Sequence, residues 1–330
     1  MPILLLIASL FCAVVPMVVF LVVVWWLDRY DREPLWLVAF VFAWGALIAT
    51  FGSLVLNEFG GAALTRITDP YTAHAIGTIA LAPLIEEPMK ASVLVLVAAS
   101  RAFDNATDGF VYGAAVGLGF AVTENFMYFS RYTDDFATWA MVVLIRTACS
   151  GMLHAIASSI VGAALGWARC RTLDIQVAAF ATGLAIAMII HLVWNALAVF
   201  AGFGMGHALL VDIALFGVEF LVVLMVFLAC LRGEHRMILR ELRVEANGGV
   251  LPPQHVAILA SVRRRSRVGW CPAGVDQAKY IKTATRLAFR RMQCRVRGDQ
   301  HHKYRAEARA LRHALREMLG TTPLPPPSAP

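Results

Sequence analysis

Apolar residues fall along this chain in long blocks separated by short polar gaps. Seven blocks are each long enough to cross ~30 Å of hydrocarbon, which takes about 20 helical residues. They lie near 3–27, 35–56, 72–99, 109–129, 138–168, 175–200 and 207–231. The pattern predicts an all-α fold: a polytopic transmembrane helical bundle over residues 1–231, with about seven spans. The fifth block is overlong and is expected to tilt or break. The run from Ile3 to Leu27 lacks a basic start and exceeds a signal-peptide core, so it is expected to remain as the first span. Beyond Cys230 the pattern changes, and residues 232–330 form a separate tail. Glu234 to Ala246 can extend the last helix into water, and Asn247-Gly248-Gly249 with Pro252-Pro253 breaks it. Ile281, Ala284, Ala288, Met292 and Val296 recur at steps of three and four, as do Ala308, Leu311 and Leu315. Two amphipathic helices follow. Thr321 to Pro330 is proline-rich and expected to be disordered.

Composition agrees with the blocks: 330 residues, 59% hydrophobic, mean hydropathy +0.67, which excludes a soluble globule. Charge divides the chain. Residues 1–231 carry 9 Lys and Arg against 15 Asp and Glu, and the tail carries 20 against 7, giving the overall +7. Arg29, Arg32, Arg101, Arg169 and Arg171 sit in the first, third and fifth loops, and only Arg66 and Arg131 in the others. With the basic tail on the side of the larger group, the positive-inside rule predicts a cytoplasmic C-terminus and an N-terminus outside. The tail is expected near anionic lipid head groups, where each basic residue contributes about 1 kcal/mol. No nucleic-acid motif accompanies its charge, so no nucleic-acid partner is expected. The six cysteines have no paired spacing, which gives neither a disulfide framework nor a thiolate zinc site.

Against this apolar background, ionisable residues inside the spans stand out. An Asp, Lys or Arg at the centre of a membrane helix costs roughly 2.5 to 3.5 kcal/mol, so clusters mark function by default. The third span carries Glu86, Glu87 and Lys90, with Pro88 expected to kink the helix. Glu86 and Lys90 share a face. The fourth span carries Glu124, Asn125 and Tyr128, preceded by Gly113 and Gly117, a small-xxx-small pair suited to close helix packing. The fifth carries Arg146, Ser150, His154 and Ser158 at steps of four, and the sixth carries His191 and Asn195. Because alternate spans run in opposite directions, Glu86, Glu124, His154 and His191 converge at one depth. The first two spans read as structural.

Two carboxylates and two imidazoles at one level can activate water as a general base. His191 and Asn195 can donate to an oxyanion. The same groups, Glu86, Glu124, His154 and His191, can instead ligate zinc, and the residues leave that choice open. No HExxH is present. Lys90, Asn125 and Arg146 are charge partners and helix glue by this reading, and a lone membrane histidine often serves only as an interhelical hydrogen-bonding group.

Glu86-Glu87-Pro88-Met89-Lys90, Phe120-Ala121-Val122-Thr123-Glu124-Asn125, His154 and His191-Leu192-Val193-Trp194-Asn195 come in this order on successive spans. So arranged they resemble the PrsW family of bacterial intramembrane proteases, over roughly residues 80–200. That family is distantly similar to the CAAX prenyl proteases and bacteriocin-processing enzymes. The resemblance implies a multi-pass protein of the bacterial inner membrane that hydrolyses a peptide bond in a membrane-anchored protein, an anti-sigma factor in the family's best-known setting. By position it assigns water activation to Glu86 or Glu87, and orientation or oxyanion binding to His191 and Asn195. Glu124 replaces a histidine of the distant relatives, with His154 placed to compensate. The metalloprotease label usual for the family implies Zn2+, whereas a glutamic mechanism would need no cofactor. Two other classes fit the same residues: an ion- or proton-coupled transporter, which inverted repeats would favour but which shows none, and a non-catalytic membrane scaffold acting through its tail.

Overall fold

A computed structural model of the protein describes residues 2–100, 102–202, 206–297 and 302–320; Arg101 and the proline-rich end 321–330 lie outside the described residues. Among the described residues the chain is helical and has no strand. It divides into two units, Met1–Asp28 with Glu33–Phe227, and Arg29–Arg32 with Leu228–Pro330.

In the first unit the membrane-length blocks become α1 (Pro2–Leu27), α2 (Leu35–Trp44), α3 (Thr50–Leu64), α4 (Pro70–Ile76), α5 (Ala82–Ala98), α6 (Ala106–Arg131), α7 (Phe136–Ile145), α8 (Gly151–Ala168), α9 (Leu173–Gly202) and the start of α10 (Gly206–Asn247). Six stretches among the described residues are long and apolar enough to cross a membrane: Ile3–Leu27, Leu35–Leu64, Ala106–Arg131, Phe136–Ala168, Leu173–Ala201 and Ile213–Asn247. The second runs to Leu64, past the expected end at 56. The block expected at 72–99 is helical throughout as α4, a π-helical turn and α5, but it holds Glu86, Glu87 and Lys90 and is not carried by apolarity alone.

Three π-helical turns interrupt these helices, at Gly45–Ala49, Gly77–Leu81 and Arg146–Ser150. The last divides the overlong fifth block. Pro88 lies within α5, and a further irregularity, the π-helical turn Gly77–Leu81, comes just before Pro83. There the N–H of Ala82 bonds the carbonyl of Gly77, and Pro83 has no N–H to offer. The carbonyl of Thr78 is thereby left to accept from a side chain.

Helix α6 is the axis of the unit, buried along most of its length. A Cβ added to Gly113 would lie 2.3 Å from the carbonyl oxygen of Ser158, and one added to Gly117 would lie 2.2 Å from that of His154. The backbones of α6 and α8 touch there, as the small-xxx-small spacing predicts, and the contact at Gly117 sets the position of His154. An Asn105 capping box starts α6. Near it Asp28, Glu33 and Asp108 gather, with the Tyr112 hydroxyl donating to Glu33 and Asp108 accepting from the backbone of Asp104 and Asn105.

The second unit contains the end of α10, α11 (Pro253–Leu259), α12 (Val262–Arg265), α13 (Gln277–Arg297) and α14 (His302–Leu319). The apolar steps of these helices meet in a common core of Ile238, Leu242, Leu259, Tyr280, Ala284, Leu287, Ala288 and Leu315. Arginines ring it: Arg291 and Arg312 donate to Glu245, Arg291 and Arg295 to Glu241, and Arg290 to Glu307.

Candidate active site

One α-helical turn after the Gly77–Leu81 segment, α5 presents Glu86 and Glu87 on adjacent faces. Both are buried, as is Lys90. The Lys90 ammonium donates to Glu87 Oε1 at 2.6 Å, so the pair is i,i+3 and not the i,i+4 pair with Glu86 that face-sharing alone suggested. Lys90 is also 3.1 Å from His154 Nδ1 and sits over the Phe120 ring. An ammonium only donates, so Nδ1 of His154 accepts and its Nε2 carries the proton. That Nε2 donates to Glu124 Oε2 at 2.7 Å, and Arg146 donates to the same oxygen at 2.7 Å. Arg146 also donates to Asn125 Oδ1 and lies 3.7 Å from the centre of the Tyr128 ring. Arg146 thus bridges Glu124 and Asn125.

His191 arrives from α9. Its Nδ1 is 2.8 Å from Glu87 Oε1, which makes Nδ1 the donor to the carboxylate and turns Nε2 toward Glu86. Glu86 Oε2 is 3.8 Å from that nitrogen and has no hydrogen-bond partner, although it is buried. The rings of His154 and His191 are 5.0 Å apart, edge to face. One turn on from His191, Asn195 Nδ2 donates to the carbonyl of Thr78 at 2.8 Å, the acceptor that Pro83 leaves open.

Four helices therefore bring Glu86, Glu87, Glu124, His154, His191 and Asn195 to one place. A cavity of about 700 Å³ is lined by Glu86, Glu124, His154, His191 and Asn195 among others, but not by Glu87. One residue in it was not expected. Asn57, on α3, donates through Nδ2 to Glu86 Oε1 at 3.3 Å and keeps a buried Oδ1 without a partner. The second span is therefore part of the site and not only structural. Asn57 lies one residue past the end expected for the second span at 56, so the pattern does not mark it as an intramembrane polar residue, although Thr50, Ser53 and Asn57 stand at helical spacing.

The donor set also bears on a metal ion. Ligand atoms of Glu86, His154 and His191 lie within 4.8 Å of one another, and two acceptors, Glu86 Oε2 and His191 Nε2, face one gap. This is the two-histidine, one-carboxylate chemistry of catalytic zinc, with Glu87 in the place of the carboxylate that orients a ligating histidine. Glu124, included in the set expected from the sequence, is instead committed to Arg146 and His154.

A model described as PrsW family intramembrane metalloprotease matches residues 33–230, more than half of the chain. The chain belongs to the PrsW family of intramembrane proteases. The PrsW match begins well before residue 80 and takes in Asn57. Protease PrsW of Bacillus subtilis (strain 168) is 28% identical over 171 residues, covering 50% of this chain and 70% of that relative. Protease PrsW of Clostridioides difficile (strain 630) is 30% identical over 102 residues, 31% of this chain and 42% of that relative. No solved structure matches. PrsW membership and the apolar helices together make this a multi-pass bacterial membrane protein and a protease.

Proposed function

We propose that the protein cleaves a peptide bond in a membrane-anchored protein, an anti-sigma factor being one such substrate, with Glu86 as the base that activates water. The observation that carries this reading is the buried, unpartnered Glu86 Oε2 on the cavity wall, 3.8 Å from His191 Nε2. Two acceptors at that separation cannot bond each other, and a water between them donates to both. Asn57 holds the other Glu86 oxygen, which fixes the carboxylate plane. Glu87 is a positioning residue, since it is bound to Lys90 and orients His191.

As the water oxygen attacks the scissile carbonyl, Glu86 takes its proton, and the carbonyl oxygen becomes an oxyanion. Asn195 Nδ2 has a second hydrogen beyond the one given to Thr78, and this gives the cavity wall a donor for that oxyanion. Glu86 then returns the proton to the departing amine as the C–N bond breaks. This leaves a carboxyl end and a free amine. A bound zinc, held by Glu86, His191 and His154, would supply a Lewis acid and lower the pKa of the water. For His154 to join, its Nε2 must give up its proton and its bond to Glu124.

The test is cleavage of a membrane-anchored peptide in proteoliposomes. Glu86→Gln keeps the shape and the Asn57 contact but removes the base, and is expected to lower turnover by about 10³-fold. Wild-type turnover in Glu86→Gln overturns the assignment. Chelation followed by zinc add-back decides the ion: loss and recovery assign it, and retained activity leaves Glu86 as the activator.

A further inference from the structure

The basic residues of the second unit fall into two groups. Arg290, Arg291, Arg295 and Arg312 are committed to Glu241, Glu245 and Glu307. Arg263, Arg264 and Arg267 are exposed, and the turn that follows them projects Val268, which is 95% exposed, ahead of Gly269 at φ +92°. Two contacts from Gln277 Nε2, to the carbonyls of Arg265 and Arg267, fasten this turn to the start of α13. Exposed Lys279 and Lys282 follow there.

What distinguishes this patch is where it is tethered. Arg265, buried between Arg264 and Ser266, donates to the carbonyl of Arg29 and places its guanidinium 4.9 Å from the Tyr30 ring centre. The Tyr30 hydroxyl donates to the carbonyl of Ala260 at 2.9 Å. Residues 29–32 belong to the short connection between α1, which ends at Leu27, and α2, which begins at Leu35. A connection that short between two spans stays at head-group level, and so does whatever grips it. The same loop also meets α10, where the Tyr30 hydroxyl is 3.3 Å from His235 Nδ1, so of the exposed arginines on α10, Arg232 and Arg236 lie beside the same anchor while Arg240 and Arg243 lie further along. On a helix rising about 1.5 Å per residue they move progressively along its axis from the span.

We propose that the turn 263–268, with Lys279 and Lys282, is a docking surface for anionic phospholipid. The arginines and lysines meet head-group phosphates, and Val268 enters the acyl boundary. Cations flanking an exposed apolar tip, held at the interface by a covalently fixed loop, match that surface in charge and polarity. Each basic residue near an anionic leaflet strengthens such binding about fivefold. The surface would hold the second unit on the membrane from the side of loop 29–32.

The full chain in nanodiscs tests this by hydrogen exchange of segment 266–270, with segment 309–317 as the internal control. Discs of phosphatidylcholine are compared with discs containing about one-third phosphatidylglycerol. Exchange of 266–270 is expected to slow at least tenfold with the anionic lipid and to recover in about 1 M salt, where the screening length falls to ~3 Å. The combined variant Arg263→Gln, Arg264→Gln, Arg267→Gln should lose the effect, and the corresponding lysine variant should keep it. These variants lie outside the apolar core and should leave exchange of 309–317 unchanged. Equal exchange in both lipids, slowing that survives the glutamine variant, or equal protection by an oligonucleotide added to phosphatidylcholine discs overturns the proposal.

Discussion

The two units use the same secondary structure with opposite radial polarity. In the first, Ile3, Phe11, Phe51, Leu96 and Leu144 are exposed while Glu87, Lys90, His154 and His191 are buried. In the second, Leu242, Leu259 and Leu287 are buried, and the arginines that pair with Glu241 and Glu245 keep partial contact with water. In lipid an apolar surface costs nothing and the hydrophobic effect does not drive helices together. The first unit instead relies on close backbone packing at Gly113 and Gly117 and on mutual saturation of charges. In water the second unit buries its aliphatic steps and uses ion pairs at the edge. A charge is therefore worth much more in the first setting than in the second.

Lys90→Met is the most severe test of that contrast. It leaves Glu87 buried without its cation, and about 3 to 5 kcal/mol of stability should be lost, read as a fall in thermal midpoint in detergent. Adding Glu87→Gln should recover most of it, and no recovery would break the account. Gly113→Val ranks next, since its side chain meets the backbone of Ser158. A loss of about 2 to 3 kcal/mol is expected for such overpacking, together with reduced turnover as α8 carries His154 away. Asn57→Ala should fold normally and lower kcat about tenfold, with little change in KM, if Asn57 only orients Glu86. Arg312→Gln should matter least. Glu245 keeps Arg291 at 2.8 Å, the site is partly exposed, and a loss below about 1 kcal/mol is expected from equilibrium unfolding. A larger loss there than for Lys90→Met would reverse the comparison.

Much of the site could be read from residue spacing. Glu86, Glu124, His154 and His191 sit at matching depth in spans of alternating direction, and depth alone brought them together. The partner of Lys90 could not be read, because i,i+3 and i,i+4 are both neighbours on a helix. What decides is His154, which reaches Lys90 from another helix on the side of Glu87. Asn57 was missed because the hydropathy of the second block falls off at 56, whereas the helix continues to Leu64 and carries Asn57 with it. The role of Thr78 was hidden too, since it depends on a π-helical turn whose register Pro83 fixes. In the second unit the steps of Ile281, Ala284 and Ala288 marked an apolar face, but periodicity does not say whether lipid or another helix covers it. The structure turns Ala284 and Ala288 onto Leu242 and Tyr280.

The full burial of Lys90 has a consequence for biogenesis. A nascent helix 70–98 leaving the insertion machinery alone would expose two acids and a base to hydrocarbon, each at roughly 2.5 to 3.5 kcal/mol. Beyond the Glu87–Lys90 pair within the helix, its hydrogen-bonding and orienting partners, His154 and His191, are encoded some 60 to 100 residues later. The packing of α8 and α9 that assembles the candidate site therefore also gives this segment the remaining partners that lower the cost of keeping it in the bilayer.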